Sequence, residues 1–311
     1  MPLDPQIEAM LSGQPEWPPV SSVPLDALRE GVRASSTQLP PPPVSLASVS
    51  DRSIPGAGND ICVRVYTPEG AGPFPVIAYF HGGGFVVGDL DTQDMIARGL
   101  AAGAESVVVS VDYRLAPEHK FPAPFDDCWA VTQWIGTHAA ELGGDPARLA
   151  VAGDSAGGVL ASACALLARE AGAPNISAVI NWYGPGVHPV PEEGSAVEFA
   201  NGPILRMEDA HFFSEMLIRD ERDLEDFRLS PMKAKSHKGL PPTFIAAAEC
   251  DPIRDSVEAY APILRGADVE VELKRYPGMV HGFVSWLAFL PVAQEAMADA
   301  CAFAKRHLKA A

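Results

Sequence analysis

Short runs of apolar residues recur along most of the 311-residue chain, and stretches with helical patterning lie between them. The runs are "ICVRVYTP" from residue 61, "PVIAYF" from 75, "SVVVSVDY" from 106, "RLAVAGD" from 148, "AVINWYG" from 178, "TFIAAAEC" from 243 and "VEVELKRYP" from 269; the helical stretches cover 91–103, 124–139, 156–170, 255–266 and 291–307. Most of these runs are unbroken, which is typical of parallel strands that are buried on both faces. Their alternation with helices predicts an α/β fold with a mostly parallel, doubly wound central sheet.

The alternation is interrupted at two places, and these interruptions predict the domain organisation. Residues 1–45 have an amphipathic helical pattern that ends in the proline run "LPPPPV", where a helix must stop. Residues 186–231 have no strand pattern, but they contain the helical stretch "RMEDAHFFSEMLI". An insertion of this length is commonly a lid or a binding element. We therefore predict a helical cap made of 1–45 and 186–231 on an α/β domain made of 46–185 and 232–311.

Net charge and cysteine usage exclude several classes of protein. The formal net charge of −17 argues against binding to nucleic acid or to an anionic membrane surface, since both require a basic face. The five cysteines are scattered, and neither they nor the histidines form a metal-binding pattern such as HExxH. The start, "MPLDPQIEAML", does not read as a signal peptide, and no apolar run is as long as a membrane span. We expect a cytoplasmic monomer or homodimer that binds no metal, nucleic acid or membrane.

The segment "RLAVAGDSAGGVLASACALLARE" contains the strongest candidate for a reactive side chain. An apolar strand runs into Gly153, Ser155 and Gly157 with GxSxG spacing, and an alanine-rich helix follows at once. The spacing alone is a weak signal, but a serine on a sharp strand-to-helix turn has its hydroxyl raised above the sheet. Small residues on either side let the strand and helix backbones come close together. We therefore predict that Ser155 is a nucleophile.

Three consecutive glycines follow another buried strand, in "HGGGFVVGD" from His81. Glycine loses much conformational entropy on folding, so such a run needs a reason. A serine that attacks a carbonyl group generates an oxyanion, and backbone N–H groups stabilise that charge by roughly 3 kcal/mol each. We predict that the amides of Gly83, Gly84 and Ala156 form this oxyanion hole, with Gly82 allowing the turn.

A serine nucleophile also needs a base, and histidine is the usual one. His281 lies in "YPGMVHGF", in the loop that follows the last predicted strand, and is our candidate. His81 is interpreted as shaping the glycine loop, His211 as part of a helix in the insertion, and His119 as part of a proline-rich loop. The remaining histidines are expected at the surface: His138, His188, His237 and His307.

An acid must orient the histidine, and it is expected between the serine and the histidine along the chain. Asp251 directly follows "TFIAAAEC", so it lies at the carboxyl end of a strand, where this kind of sheet forms its sites. Asp255 falls in the first turn of a helix, where it is better explained as a charge that complements the helix dipole. Asp154 adjoins the nucleophile, but the sharp turn should direct its side chain elsewhere. Asp251 is the predicted acid.

Several of these segments together resemble the bacterial esterases related to hormone-sensitive lipase. The similar region extends from about Val63 to Phe283 and includes "HGGGFVVGD", "VDYRLAPEHKFPAP", "GDSAGG", "DPIRD" and "HGF". The resemblance implies an α/β-hydrolase fold and hydrolysis of small carboxylic esters with short to medium acyl chains, without a cofactor. It also implies that 46–185 and 232–311 form the catalytic domain beneath the cap.

The substrate pocket is predicted less firmly than the catalytic residues. Leu205, Phe212 and Phe213 in the insertion are candidates to line it, although aromatic residues on a helix often serve packing alone. Two other functions remain open. The fold also hosts small-molecule receptors, but a receptor does not need a catalytic base. Amide hydrolysis uses the same three residues, and a matched ester and anilide would separate it from ester hydrolysis.

Overall fold

The helices of the N-terminal region are short and lie against the main domain. The computed structural model of the chain describes residues 2–13, 18–38, 43–56, 58–186 and 188–310. Helix α1 spans Pro5–Leu11, a 3-10 turn spans Val20–Ser22, and helix α2 spans Leu25–Thr37. Most of the proline run that was predicted to end this region, residues 39–42, lies outside the described residues.

Eight strands form one sheet in the described part of the chain. They are β1 (Leu46–Pro55), β2 (Asp60–Pro68), β3 (Phe74–Phe80), β4 (Val107–Val111), β5 (Gly144–Asp154), β6 (Ile176–Trp182), β7 (Thr243–Ala248) and β8 (Val271–Tyr276). Their order across the sheet is β1-β2-β4-β3-β5-β6-β7-β8. The β1–β2 and β2–β4 pairs are antiparallel, and the other neighbours are parallel. The predicted mostly parallel sheet is therefore confirmed.

The predicted strands are all present, but β1 was missed. Every residue of β4 and of β7 is buried, which explains why these strands appear as unbroken apolar runs. Strand β1, "LASVSDRSIP", is an edge strand whose residues are mostly exposed, with Ile54 as its buried residue. Because an edge strand can be polar on both faces, its sequence lacks the signal that identified the others.

The helices that connect the strands occur close to their predicted bounds. They are α3 (Asp94–Ala104), α4 (Ala123–His138), α5 (Ala156–Ala171), α8 (Arg254–Gly266) and α9 (Pro291–His307). The insertion contains no strand among its described residues, and it forms α6 (Ser195–Glu198) and α7 (Met207–Leu217). None of the helices in the described ranges is both long and apolar enough to cross a lipid bilayer.

The sheet topology brings the predicted site residues to one edge. Strands β3, β5, β6, β7 and β8 are consecutive neighbours and run parallel, so their carboxyl ends share that edge. The glycine loop follows β3, the GxSxG turn follows β5, and the loops with Asp251 and His281 follow β7 and β8. The N-terminal region and the insertion also meet, because the amide of Val20 donates a hydrogen bond to Asp209 Oδ1 of α7 at 3.0 Å.

Candidate active site

Ser155 occupies a strained turn between β5 and α5. Its φ of 53° and ψ of −120° are rarely adopted by a residue with a side chain, and such strain is concentrated at functional sites. The Ser155 amide donates to the carbonyl of Trp182 at 2.8 Å, which ties the turn to β6. A Cβ atom on Gly157 would lie 1.9 Å from the carbonyl oxygen of Phe80. Only glycine therefore allows the turn to pack this closely against β3.

A chain of two short hydrogen bonds connects Ser155 to Asp251 through His281. The Oγ atom of Ser155 lies 2.8 Å from Nε2 of His281, and Nδ1 of His281 lies 2.7 Å from Oδ2 of Asp251. Asp251 is fully buried, and its Oδ1 accepts a hydrogen bond from the Ile253 amide at 3.0 Å. Both oxygens of the carboxylate are thus engaged, which fixes its orientation toward the imidazole.

The two other carboxylates considered as the acid have different partners. Asp154 Oδ1 accepts hydrogen bonds from the Tyr79 hydroxyl at 2.6 Å and from the Gly82 amide at 2.9 Å. Burial raises the pKa of Asp154 above its ordinary value, and these hydrogen bonds oppose the rise. Asp255 accepts from the Ser195 amide at 2.8 Å and thereby connects α8 to α6. Asp251 alone among the three is hydrogen-bonded to His281 in the described structure.

The glycine loop presents unpaired amides next to Ser155. Gly83 and Gly84 have φ values of 117° and 60°, and the Gly83 carbonyl accepts from the amides of Val86 and Val87. Within the described residues, the amides of Gly83 and Gly84 donate to no protein acceptor. The Ala156 amide begins α5, where the first N–H groups have no partner within the helix. All three predicted oxyanion-hole residues line the same cavity as Ser155 and His281.

Comparison with known proteins identifies the family to which the chain belongs. A family model described as the alpha/beta hydrolase fold matches residues 77–285. The chain belongs to this family. The carboxylesterase NlhH of Mycobacterium tuberculosis is 42% identical to it over 314 aligned positions, which cover 98% of each protein.

Solved structures give the same result. The thermostable esterase from Pseudomonas putida ECU1011 matches with a TM-score of 0.94 and 32% identity over 100% of this chain and 99% of that one. The hyperthermophilic esterase from Pyrobaculum calidifontis matches with a TM-score of 0.90 and 35% identity over 98% and 99%. The chain is therefore a carboxylic ester hydrolase related to hormone-sensitive lipase, as the sequence motifs predicted, rather than a receptor.

His81 of the esterase stabilises the glycine loop, as expected from its position. It is fully buried, its ring stacks on Tyr113 with centroids 4.2 Å apart, and its Nδ1 lies 2.7 Å from the carbonyl of Gly82. The Tyr113 hydroxyl donates to the His81 carbonyl at 2.7 Å. Burial lowers the pKa of His81 to about 4, so the imidazole is neutral at pH 7.

The active-site cavity of the esterase has a volume of about 260 Å³ and two chemically different walls. One wall contains the predicted catalytic and oxyanion-hole residues and is named the catalytic wall for that reason: Gly83, Gly84, Ser155, Ala156 and His281. The insertion wall consists of cavity-lining residues from 186–231: His188, Pro189, Val190, Ile204, Leu205, Met207, Ala210, His211, Phe213, Ser214 and Leu229. Most of these insertion residues are apolar, so the catalytic wall faces a largely apolar surface.

Two of the three residues predicted to line the pocket do so. Leu205 and Phe213 belong to the insertion wall, whereas Phe212 is absent from the described lining of this cavity. The α7 residues of the insertion wall share one side of the helix, and at about 100° per residue Phe212 lies on the opposite side. The Phe212 ring instead lies tilted beside that of Phe213, with centroids 5.9 Å apart.

None of the four histidines expected at the surface is exposed: His237 is buried, and His138, His188 and His307 are half-buried. His237 is buried, and its Nε2 lies 2.8 Å from the carbonyl of Pro231. His188 is half-buried on the insertion wall, with its Nε2 2.7 Å from Oγ of Ser214. His237 occurs in a polar stretch of sequence and His188 in one rich in proline and glycine, but segments of the insertion fold over both.

Arg29 on α2 contacts the glycine loop, and sequence reasoning missed it. Its Nε donates to the carbonyl of Val86 at 2.9 Å, and its Nη2 donates to the carbonyl of Ala116 at 2.9 Å. The guanidinium also forms a bidentate pair with Glu118 at 2.7 and 2.8 Å. The Ala116 amide donates to the carbonyl of Phe85 at 2.9 Å. Arg29 therefore holds together the two loops that border the catalytic wall.

Tyr183 is a second residue that the sequence did not reveal. It follows β6, has a φ of 44°, and packs its ring against that of His281 with centroids 5.0 Å apart. It is fully buried, and burial holds the pKa of its hydroxyl well above the ordinary value. The ring thus limits the positions that the imidazole of His281 can adopt.

Proposed function

We propose that the chain hydrolyses small carboxylic esters with short to medium acyl chains through Ser155, His281 and Asp251, by way of an acyl-enzyme. The observation that supports this most directly is the pair of hydrogen bonds at 2.8 and 2.7 Å that connects Ser155, His281 and Asp251. This is the geometry required of a nucleophile, a general base and an orienting acid.

In the first step, Ser155 Oγ attacks the carbonyl carbon of the ester while its proton passes to Nε2 of His281. Asp251 keeps the other proton of the imidazole on Nδ1 and stabilises the positive charge that forms. The negative charge on the carbonyl oxygen is held by the amides of Gly83, Gly84 and Ala156. Since these amides have no acceptor among the residues that the structure describes, no hydrogen bond within that part of the chain has to break before they act.

Collapse of this intermediate expels the alcohol, which takes the proton from Nε2 of His281, and leaves the acyl group on Ser155. A water molecule then attacks the acyl carbonyl with His281 again as the base. The second tetrahedral intermediate breaks the bond to Ser155 Oγ, releases the carboxylic acid and returns the proton to the serine.

The size of the cavity supports small substrates. Its volume of about 260 Å³ is slightly below the range of roughly 300–1,000 Å³ that is usual for drug-sized ligands. Residues 1–45 and 186–231 act as a cap in this proposal, on the catalytic domain formed by 46–185 and 232–311. The hydrogen bond between Val20 and Asp209 supports the cap, because it joins its two parts.

The proposal is tested by hydrolysis of p-nitrophenyl esters from acetyl to palmitoyl by wild type, Ser155→Ala and Ser162→Ala. Ser162 is the matched control. It lies on α5, the helix that follows Ser155, and its hydroxyl donates a hydrogen bond to the Gly158 carbonyl at 2.9 Å. We expect the fastest turnover with short or medium chains, a loss of a thousandfold or more in Ser155→Ala, and near wild-type rates in Ser162→Ala.

A p-nitroanilide matched to the best ester completes the experiment. Faster cleavage of the anilide than of the ester would replace the ester proposal with amide hydrolysis. Retention of the full rate in Ser155→Ala would refute the assigned nucleophile.

A further inference from the structure

The insertion wall contains one hydrogen-bonded polar pair within its apolar surface. Nε2 of His188 lies 2.7 Å from Oγ of Ser214, and both residues line the cavity that contains Ser155 and His281. The wall around them includes Val190, Leu205, Phe213 and other apolar side chains. A polar group in such surroundings is unfavourable unless it finds hydrogen-bond partners.

One ring nitrogen of His188 has no partner in the part of the chain that the structure describes. A neutral imidazole has one donor and one acceptor nitrogen, and Ser214 engages Nε2. Nδ1 forms no hydrogen bond with any described residue, and the surrounding side chains do not enclose it completely. It therefore remains accessible to a molecule that enters the site.

The pair is uncharged, so it does not require an ionic ligand. Burial lowers the pKa of His188 to about 4, and the neighbouring His211 lowers it further. Ser214 is 9% exposed, and its hydroxyl can either donate to Nε2 or accept from it. The free nitrogen can accordingly serve as a donor or as an acceptor, depending on which tautomer the ligand favours.

We propose that His188, oriented by Ser214, is a subsite that binds a hydroxyl or carbonyl substituent of the ester substrate, near the ester group. The proposal rests on the proposed function, since it names the class of ester that the same site prefers. His188 and Ser155 line the same cavity, so the substituent and the scissile carbonyl would be bound in one space. A buried site that can hydrogen-bond a substituent discriminates against an analogue that lacks it.

The test uses two pairs of esters in which a hydroxyl replaces a methyl group of similar size. The acyl pair is ethyl 3-hydroxybutyrate and ethyl 3-methylbutyrate, and the alcohol pair is 2-hydroxyethyl butyrate and propyl butyrate. For each pair, the ratio of kcat/KM values is measured in wild type, His188→Phe and Ser214→Ala. His138→Phe is the control, because His138 lies on α4, stacked on Trp134 outside the cavity lining.

In at least one pair, we expect His188→Phe to lower the hydroxyl-to-methyl ratio about fivefold, and Ser214→Ala to lower it about twofold. His138→Phe should leave both ratios unchanged. A purely structural role for His188 would change the rates with both members of a pair equally. Ratios that stay constant in both variants would therefore overturn the subsite, whatever happens to the absolute rates.

Two results separate this inference from the proposed function. If His188→Phe does not fold, the Ser214→Ala ratios decide alone, because that change removes one hydroxyl only. If wild type shows no Ser155-dependent hydrolysis of any ester, the proposed function is refuted and the subsite with it. If hydrolysis depends on Ser155 but the ratios do not change, the subsite alone is refuted.

Discussion

The two walls of the cavity are held in place in different ways. The catalytic wall follows adjacent parallel strands, and Ser155 and His281 form part of a continuous hydrogen-bonded chain that ends on buried Asp251. The insertion wall is supplied by a segment without strands and is mostly apolar. Under the proposed function, this difference would be a division of labour, in which sheet geometry positions the reacting groups and the insertion determines which molecules reach them.

The first prediction concerns Asp251, the buried carboxylate that is hydrogen-bonded to His281 of the catalytic wall. In Asp251→Asn, kcat should fall by about 10⁴, because the amide favours the wrong tautomer of His281, while KM should change little. The measurement is steady-state kinetics with the best p-nitrophenyl ester. Asp255→Asn is the matched control and should stay within about threefold of wild type, since Asp255 contacts Ser195 and Arg254 instead. Equal losses in the two variants would contradict the assignment of the acid.

The second prediction tests a point where the two walls touch. A Cβ atom on Gly84 would lie 2.5 Å from Cγ of Phe213, so Gly84→Ala should displace the loop and lower kcat/KM about a hundredfold. Removing the ring in Gly84→Ala/Phe213→Ala should recover part of the loss, because it removes the two nearest atoms and leaves the Phe213 Cβ at 2.9 Å, while a φ of 60° costs alanine about 1–2 kcal/mol. Gly239→Ala, with a φ of 80° and open space around it, should leave kcat/KM unchanged. Failure of the double variant to recover would show that Phe213 is not the obstacle.

The third prediction concerns the insertion wall alone. Leu205→Ala enlarges the cavity, so the rate with octanoyl relative to acetyl esters should rise about tenfold, while the rate with acetyl esters stays within threefold. The chain-length series measures both quantities. Val197→Ala is the control, because Val197 is 65% exposed on α6 of the same insertion and does not line the cavity. An equal loss of activity at every chain length would mean that the insertion wall also supports the catalysis itself.

The fourth prediction concerns Arg29, which supports the catalytic wall from the N-terminal region. Arg29→Met removes the donors to the Val86 and Ala116 carbonyls, so kcat should fall about fivefold with KM nearly unchanged. Arg29→Lys should retain part of the rate, and Arg222→Met, at an exposed arginine, should have no effect. A change confined to KM would assign Arg29 to substrate entry rather than to support of the glycine loop.

The smallest effect is expected from the pH dependence of stability. The hydrogen bond from Arg29 lowers the pKa of Glu118 from 4.5 to about 2. A depressed pKa stabilises the folded state above the unfolded value, so the contribution is complete above about pH 5 and is lost as the pH falls toward 2. Because Glu118 is half exposed, the contribution should stay below about 1 kcal/mol. The Tm difference between wild type and Glu118→Gln should therefore be constant from pH 8 to 5 and shrink below pH 4, and a difference that grows there would contradict the pair.

The proximity of the residues of the catalytic wall could be predicted because each of them lies in a short motif at the end of a strand. Ser155, Asp251 and His281 could be selected without knowing any tertiary contact, since parallel strands bring their carboxyl ends together. Strand β1 was missed because an exposed edge strand has no apolar run.

Residues that act through long-range contacts could not be predicted in this way. Arg29 lies 57 positions from Val86 and 89 from Glu118, and no local pattern records that pairing. His188 appeared to be a surface residue because it lies in a segment rich in proline and glycine without helix or strand patterning, and its burial depends on how α7 packs above it. The contacts of the insertion could therefore not be predicted from the sequence, because its position is set by tertiary packing rather than by strand order.

The carboxylate of Asp154 has a consequence for how this scaffold can change. It precedes Ser155 directly, and its Oδ1 holds both the Tyr79 hydroxyl and the amide of Gly82. One side chain at the end of β5 therefore connects the glycine loop to the turn that carries Ser155, the proposed nucleophile. These hydrogen bonds lie outside the insertion, so the insertion could be replaced, and the substrate selectivity changed, without altering the relative positions of Ser155 and the glycine loop.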